Sequence, residues 1–331
     1  MEPAIPALAT QRFRLAEIRP DDAGDVRQLF ERIFNKPMSA AFWDWKYRQS
    51  GGCGIGVWDR DILVGHYGGT GVTVLFEGRP VPAVQVCDVM VDNRVRHVAR
   101  RLSPYFLATS TFLEHFLGQG QRYLLAYGFP SNRHLALGVH LGLYAEVGTM
   151  SEVKISAPQP RIGDWLYRWQ PLTIDDTAQW QGQVERLWQA MAQSLPAAAM
   201  VVKNAARLNY RYLQNPEQRY HLWLLTRRLT GTPLALVVVK EEAERILVMD
   251  VIGDRRRLET VLRMTSVEAN RRWQKPLMFW LSTVQADTLD LPGIEQTPLP
   301  ISTPANIWTD SPAPERLRDR WWLTAGDTDY L

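Results

Sequence analysis

Cysteine is scarce in this chain: Cys53 and Cys87 are the only two in 331 residues. Neither has a second cysteine or a histidine at metal-ligand spacing, so the pattern offers neither a disulfide framework nor a zinc site, and both read as reduced, buried thiols. Long hydrophobic runs are also missing. The longest strongly apolar stretches, such as Leu234 to Val239, fall far short of the ~20 residues that cross a bilayer. The N-terminal MEPAIPALATQRFRL has an acid at Glu2, no early basic cluster and no apolar core, so a secretory signal is not expected and a cytoplasmic location is. Glycine-rich phosphate loops, GxGxxG and GxSxG are absent, which removes support for P-loop, dinucleotide-binding and nucleophile-elbow chemistry. His134 and His140 lie six apart rather than at the i, i+4 spacing that puts two ligands on one helix face, and no metal is expected. Charge of one sign is in small excess: 38 Lys and Arg against 35 Asp and Glu leave +3. That surplus is too small to argue for nucleic acid as the main partner.

What is present is the composition of a globular protein, 46% hydrophobic and 22% charged, with 13 scattered tryptophans that suit large aromatic cores. The length favours two domains. Residues 12–18 read as a strand and 21–34 as an amphipathic helix, with Val26, Leu29, Phe30, Ile33 and Phe34 at helical spacing. Ser39 reads as the N-cap of a second helix over 40–49, ended by Gly51-Gly52. Strands over 54–59, 62–75 and 81–91 form a meander. Ser103-Pro104 opens a helix to about Leu117. A short apolar strand at 123–129, a helix at 132–141 and a strand at 143–155 complete the first half.

The segment 157–163 (APQPRIG) suits a linker. The sequence thus divides into 1–156, the linker 157–163 and 164–331. Beyond the linker the order recurs: strand 165–172, helices 175–193 and 204–213, strands 220–227, 233–240 and 245–252, a helix from 255 to 271 and a strand at 277–281. WKYRQ at 45–49 and YRYLQ at 210–214 occupy the same slot of that order, which points to two copies of one α+β unit.

The element order resembles the GNAT acyltransferase superfamily. VCDVMVDNRVRHVARRLSPYFLATSTFL from Val86 resembles its fourth strand, pyrophosphate turn and following helix. AYGFPSNRHLALGVHLGLYAEVG at 126–148 resembles the later strand and helix of a bacterial subgroup, and the ending WWLTAGDTDYL resembles the close of tandem-GNAT proteins. The fold implied is two tandem GNAT-like domains, each a mixed, mostly antiparallel sheet flanked by helices. The activity implied is N-acyl transfer from acetyl-CoA, or another acyl-CoA, to an amine of a small molecule or amino sugar, held in a cleft between the halves.

By that resemblance, acyl-CoA lies along Val89, Met90 and Val91, and Arg96, Ala99 and Arg101 fall on the family's pyrophosphate turn, Ala99 and Arg101 where it has glycines. Such a turn works through backbone N–H groups at a helix N-terminus. Asp88, among apolar neighbours, is expected as a base with a burial-raised pKa. The family's helix tyrosine would fall near Gly138 or Val139, and Tyr144 is taken as its substitute. His66, in ILVGHYGG, is a third catalytic candidate. The second half goes straight from ILVMDVIG into DRRRLETVL with no glycine turn and reads as structural. Asp327 and Asp329 are expected as tail carboxylates. The alternative to an enzyme is a non-catalytic GNAT-like binding or assembly protein that has lost the cofactor turn.

Overall fold

A computed structural model of the chain describes residues 12–96, 100–156, 161–173 and 177–328. Its fold is mixed α+β, with two sheets flanked by helices, as the sequence implied. In order, the first-half elements are β1 (Phe13–Glu17), α1 (Ala23–Phe34), α2 (Ala40–Trp43), β2 (Cys53–Asp59), β3 (Ile62–Phe76), β4 (Arg79–Val91), α3 (Pro104–Phe116), β5 (Leu125–Tyr127), α4 (Asn132–His140) and β6 (Tyr144–Ile155). The second-half elements are β7 (Tyr167–Leu172), α5 (Thr177–Ser194), β8 (Ala199–Val201), α6 (Ala205–Leu208), β9 (His221–Arg227), β10 (Pro233–Glu241), β11 (Ile246–Gly253), α7 (Leu258–Trp273), β12 (Leu277–Ser282), α8 (Thr283–Ala286), β13 (Ile294–Asn306) and β14 (Trp321–Trp322). No described helix is long and apolar enough to cross a membrane.

The helix starts obey local chemistry. The hydroxyls of Ser39 and Ser103 accept the N–H groups of Phe42 and Phe106, at 3.0 and 3.2 Å, satisfying donors that the first helical turn leaves over. Each second helix relaxes after one turn into a π-helical turn, Asp44–Gln49 after α2 and Asn209–Leu213 after α6. The first π turn contains WKYRQ, and the second contains YRYL, with Gln214 of YRYLQ as its C-cap.

One sheet runs β1-β2-β3-β4-β5, with β8 paired to the far end of β3 and to β14. The other runs β13-β6-β12-β11-β10-β9-β7. By compactness the chain divides into one unit of 1–73, 81–147 and 301–318, and another of 74–80, 148–300 and 319–331. This differs from the contiguous division at 157–163 read from composition. Residues 157–160 of the expected linker lie outside those described, and β6, expected to close the first half, pairs antiparallel with β12 from Ile155↔Leu277 to Met150↔Ser282.

In the first unit two apolar clusters form. Val64, Tyr67, Phe106, Phe112, Leu135 and Tyr144 belong to one, and Val26, Leu29, Tyr47, Leu63, Cys87 and Met90 to the other.

Candidate functional site

β4 and β5 pair in parallel over only three residues, Ala83↔Leu125 to Gln85↔Tyr127. β5 ends there, whereas β4 runs on to Val91, so the two strands part company halfway along β4. Within the extension Asp88 adopts φ +47°, a left-handed conformation uncommon for a residue other than glycine. The effect shows in side-chain direction: Cys87 and Met90 join one apolar cluster, and Val86, Val89 and Val91 pack on the other, a slip in the two-residue alternation characteristic of a β-bulge.

The bulge turns Asp88 inward. Its Oδ1 is 2.8 Å from Lys46 Nζ and its Oδ2 accepts from Tyr47 OH at 2.6 Å, all three residues being buried. Both partners come from the first π turn. Burial alone would raise the Asp88 pKa, but the Lys46 charge and the two hydrogen bonds outweigh it and hold the carboxyl below its ordinary value. This corrects the expected free base with a burial-raised pKa, because a basic residue next to the tyrosine supplies a counter-ion that the apolar strand sequence does not show. Burial and the Asp88 charge together raise the Tyr47 pKa.

His66, 1% exposed on β3, places Nδ1 2.7 Å from the Asp88 backbone carbonyl. A carbonyl only accepts, so Nδ1 carries the proton and Nε2 keeps its lone pair. Nε2 makes no hydrogen bond among the described residues. Desolvation lowers the His66 pKa and keeps the ring neutral. The glycines of this strand pair make room: a Cβ on Gly68 would come within 2.5 Å of both His66 Cε1 and Tyr47 OH, and one on Gly54 within 3.0 Å of His66 Nε2.

Tyr144 opens β6, buried, with its hydroxyl hydrogen-bonded to that of Tyr67. Of the two helix positions near which a tyrosine is expected, Gly138 and Val139, the first is where the ring of Tyr144 fills the space alongside: a Cβ on Gly138 would collide with Tyr144 Cδ2 and lie 3.3 Å from Tyr105 OH. A tyrosine ring thus stands against α4 although it comes from the next strand. Burial raises the pKa of Tyr144 and pushes that of Tyr105 up to about 12, so both stay protonated near neutral pH.

Val89, Met90 and Val91 form the bulged end of β4. Beyond them Asp92 binds Arg94 through both oxygens, at 2.9 and 2.7 Å, and Arg32 Nε at 3.3 Å. Arg96 donates Nε–H to the Val91 carbonyl at 3.1 Å, and Arg101 sits exposed, its guanidinium 5.8 Å from the Phe106 ring and 5.9 Å from that of Trp308. The N–H groups of Asp92, Arg94, Val95 and Arg96 are bonded to Val64 O, Asp92 Oδ1, Asp92 O and Asn93 O. Ala99 lies outside the described residues. No group of three or more His, Cys, Asp or Glu among the described residues is placed to hold a metal ion.

The second unit repeats part of this geometry, which sequence reading missed. β11 bulges at Met249, skipped between Asp250↔Val238 and Val248↔Val239. Tyr212, from the second π turn, donates to Asp250 Oδ2, and Lys203 Nζ lies 2.5 Å from Asp250 Oδ1. Asp327, expected as a tail carboxylate, is instead buried and 2.8 Å from Lys203 Nζ. Burial and the neighbouring Asp250 charge outweigh Lys203 and raise the Asp327 pKa. Asp329 lies outside the described residues. The signal available was the pairing of VCDVMV with VMDVIG, each in the third strand after its echo pentapeptide.

Residues 14–135 match the acetyltransferase (GNAT) domain family. The chain is similar in structure to a probable N-acyltransferase from Enterococcus faecalis, with TM-score 0.67 and 13% identity, over 88% of this chain and 71% of that one. It is likewise similar to a GCN5-related N-acetyltransferase from Kribbella flavida, with TM-score 0.61 and 16% identity, over 90% and 72%. A Saccharomyces cerevisiae N-myristoyltransferase with bound myristoyl-CoA aligns at TM-score 0.56 and 12% identity, over 97% and 87%. At such identities the likeness is one of fold. No curated protein matches the chain in sequence.

Proposed function

We propose that this chain, which matches the acetyltransferase (GNAT) domain family over residues 14–135, is an acyl-CoA-dependent N-acyltransferase. The observation that carries the reading is the parting of β4 from β5 after Gln85 and Tyr127, followed by the bulge at Asp88. An extended acyl-thioester chain laid along Val89, Met90 and Val91 continues the sheet where β5 leaves off. Backbone N–H groups of the bulged strand then donate to the thioester carbonyl, and donate more strongly as it becomes an oxyanion.

The roles divide by environment. The acceptor amine attacks the thioester carbon, the C–S bond breaks, and the amine proton leaves through His66 Nε2, directly or by way of water. The Asp88 carbonyl fixes the tautomer that leaves Nε2 free to accept. Asp88 itself is a positioning residue, its carboxylate committed to Lys46 and Tyr47. Tyr144, protonated at neutral pH, donates to the departing sulfur. Arg96 and Arg101 serve the pyrophosphate end of the cofactor, acetyl-CoA being the first to try. A small-molecule amine or amino sugar in the cytoplasm is the acceptor class.

A second reading, a GNAT-like protein that binds without catalysing, draws on the internal use of the Asp92, Arg94, Val95 and Arg96 N–H groups. Calorimetric titration of acetyl-CoA into wild type, Arg96→Ala and Arg101→Gly separates the two. Micromolar binding weakened in Arg96→Ala, together with thiol release in the presence of amines, supports the enzyme. No heat with wild type, but binding by Arg101→Gly, marks a cofactor turn that has closed.

A further inference from the structure

The second unit carries a surface that this chemistry does not use. A short 3₁₀ turn, Ile162–Leu166, leads into β7, and the β9–β10 turn lies against it. Arg228 N donates to Leu166 O at 2.7 Å, and the Arg228 guanidinium reaches Trp165 O at 2.9 Å and Tyr167 O at 3.4 Å. From below, Arg263 of α7 grips Asp164, with Nη1 2.8 Å and Nη2 2.5 Å from its two oxygens. The turn is therefore fixed at both its backbone and its carboxylate.

This anchored turn points its apolar side chains outward. Ile162 is 94% exposed, Trp165 60%, Leu166 38% and Leu229 81%. Residues three apart in a 3₁₀ helix eclipse one another, so Ile162 and Trp165 project from the same side. Exposed apolar residues scattered singly need no explanation, but four gathered on two hydrogen-bonded loops form a patch of the kind that marks an interaction site.

The charges around the patch have one sign. Arg161, Arg168, Arg227 and Arg228 are exposed beside it. The carboxylate within the turn, Asp164, is neutralised by Arg263. Next to the patch opens a groove of about 360 Å³, lined by Arg168, Arg228, Arg271 and Arg272 together with Tyr167 and Trp169. Its other acid, Glu268, is shared between Arg271 and Arg272 at 2.7 and 2.5 Å.

We propose that the patch formed by Ile162, Trp165, Leu166 and Leu229, with its surrounding arginines, docks this protein on an anionic lipid bilayer. A bilayer surface offers both complements at once: an acyl boundary for the apolar tip, with tryptophan at headgroup depth, and phosphates for guanidinium forks. A soluble anion would use the groove and leave the apolar tip in water. The two terms add, because neither a few exposed apolar side chains nor four surface charges alone hold a protein to a membrane.

The test is co-sedimentation of the full chain with vesicles of pure phosphatidylcholine and of an equimolar phosphatidylcholine–phosphatidylglycerol mixture, at low and high salt. Binding to the mixed vesicles only, weakened by salt, is expected. Replacing Arg161, Arg168 and Arg227 by Gln should weaken it about fivefold per arginine. The Ile162→Asp/Trp165→Asp/Leu229→Asp variant should abolish it. Thermal unfolding verifies that this variant folds; if it melts early, the Ile162→Asp/Leu229→Asp pair, at the two most exposed positions, carries the test.

Absence of binding to either vesicle overturns the proposal, as does binding that survives the aspartate substitutions. Inorganic phosphate or a nucleotide bound in the groove without vesicle binding would assign the arginines to a soluble anion instead. A dimer in sedimentation that the same aspartates dissolve would assign the patch to a second copy of the chain.

Discussion

Tyr47 reaches Asp88 across 2.6 Å, and Tyr212 makes the same hydrogen bond to Asp250 in the other unit. Each tyrosine is the third residue of its pentapeptide, WKYRQ or YRYLQ, and each aspartate is the third residue of VCDVMV or VMDVIG. The weak echo in sequence thus has a physical content: a π turn aims a tyrosine at the carboxylate of a bulged strand. Even the cap beyond repeats, for Asp92 and Asp254 each accept the N–H two residues on and bind the side chain of that same arginine. The cation differs in origin, Lys46 coming from the turn itself and Lys203 from the segment after β8.

Asp88→Ala leaves the Lys46 ammonium buried without its carboxylate. Removing one partner of a buried pair costs about 3–5 kcal/mol. Urea unfolding should show that loss, whereas Tyr47→Phe, which keeps the ring and removes the hydroxyl's hydrogen bonds to Asp88 and Cys87, should cost about 1.5–3 kcal/mol. Similar losses for both would show that the ion pair does not dominate.

The space beside Gly138 belongs to the Tyr144 ring. Gly138→Ala is expected to displace that ring and destabilise the fold by about 1–3 kcal/mol, as overpacking does. Tyr144→Phe keeps the ring and removes the hydroxyl. It should lower kcat at least about 100-fold with little change in the affinity for acetyl-CoA. Unchanged turnover would remove Tyr144 from the chemistry.

His66 fixes an acid limb. Its folded pKa lies below the ordinary 6.5, so the ring stays neutral, and able to accept a proton, at pH values where a free histidine is already charged. The rate should hold as pH falls past 6.5 and decline only below that value. His66→Gln should erase this limb and lower the rate at neutral pH. A rate that falls with an apparent pKa above 6.5 would point to another base.

Asp92 should govern part of the acid unfolding. The hydrogen bond from Arg94 is the chief cause that holds its pKa down to about 2, against 3.8 unperturbed. A carboxyl depressed on folding stabilises the protein fully above the unperturbed value, and that stability drains away as pH falls from 3.8 towards 2. The amount is about 2 kcal/mol. Unfolding free energy measured from pH 5 to pH 2 in wild type and Asp92→Asn should converge at the acid end.

Most of the elements were legible in the sequence, because capping serines, glycine stops and apolar periodicity are local signals. β13 was not, since Pro298, Pro300 and Pro304 read as loop; it is tolerated as a strand because it lies at a sheet edge, where a missing N–H breaks no ladder. Asp88, His66 and Tyr144 stand out in the sequence as candidates by residue type and context. Their relationships do not. The counter-ion at Lys46 depends on a π turn meeting a bulge, and Tyr144 stands in for a helix residue only through space. Neither follows from spacing along the chain.

The pairing of β6 with β12 has a consequence for how the chain is made. Met150 must find Ser282, a partner more than a hundred residues downstream, before that ladder closes. During synthesis β6 therefore emerges long before its mate and waits with its ladder groups open, the condition in which strands stick to one another. A cut at 156 would make that wait permanent. Residues 1–156 and 164–331 produced separately should each carry an orphaned edge and remain soluble only when expressed together, as two fragments of one interlaced fold.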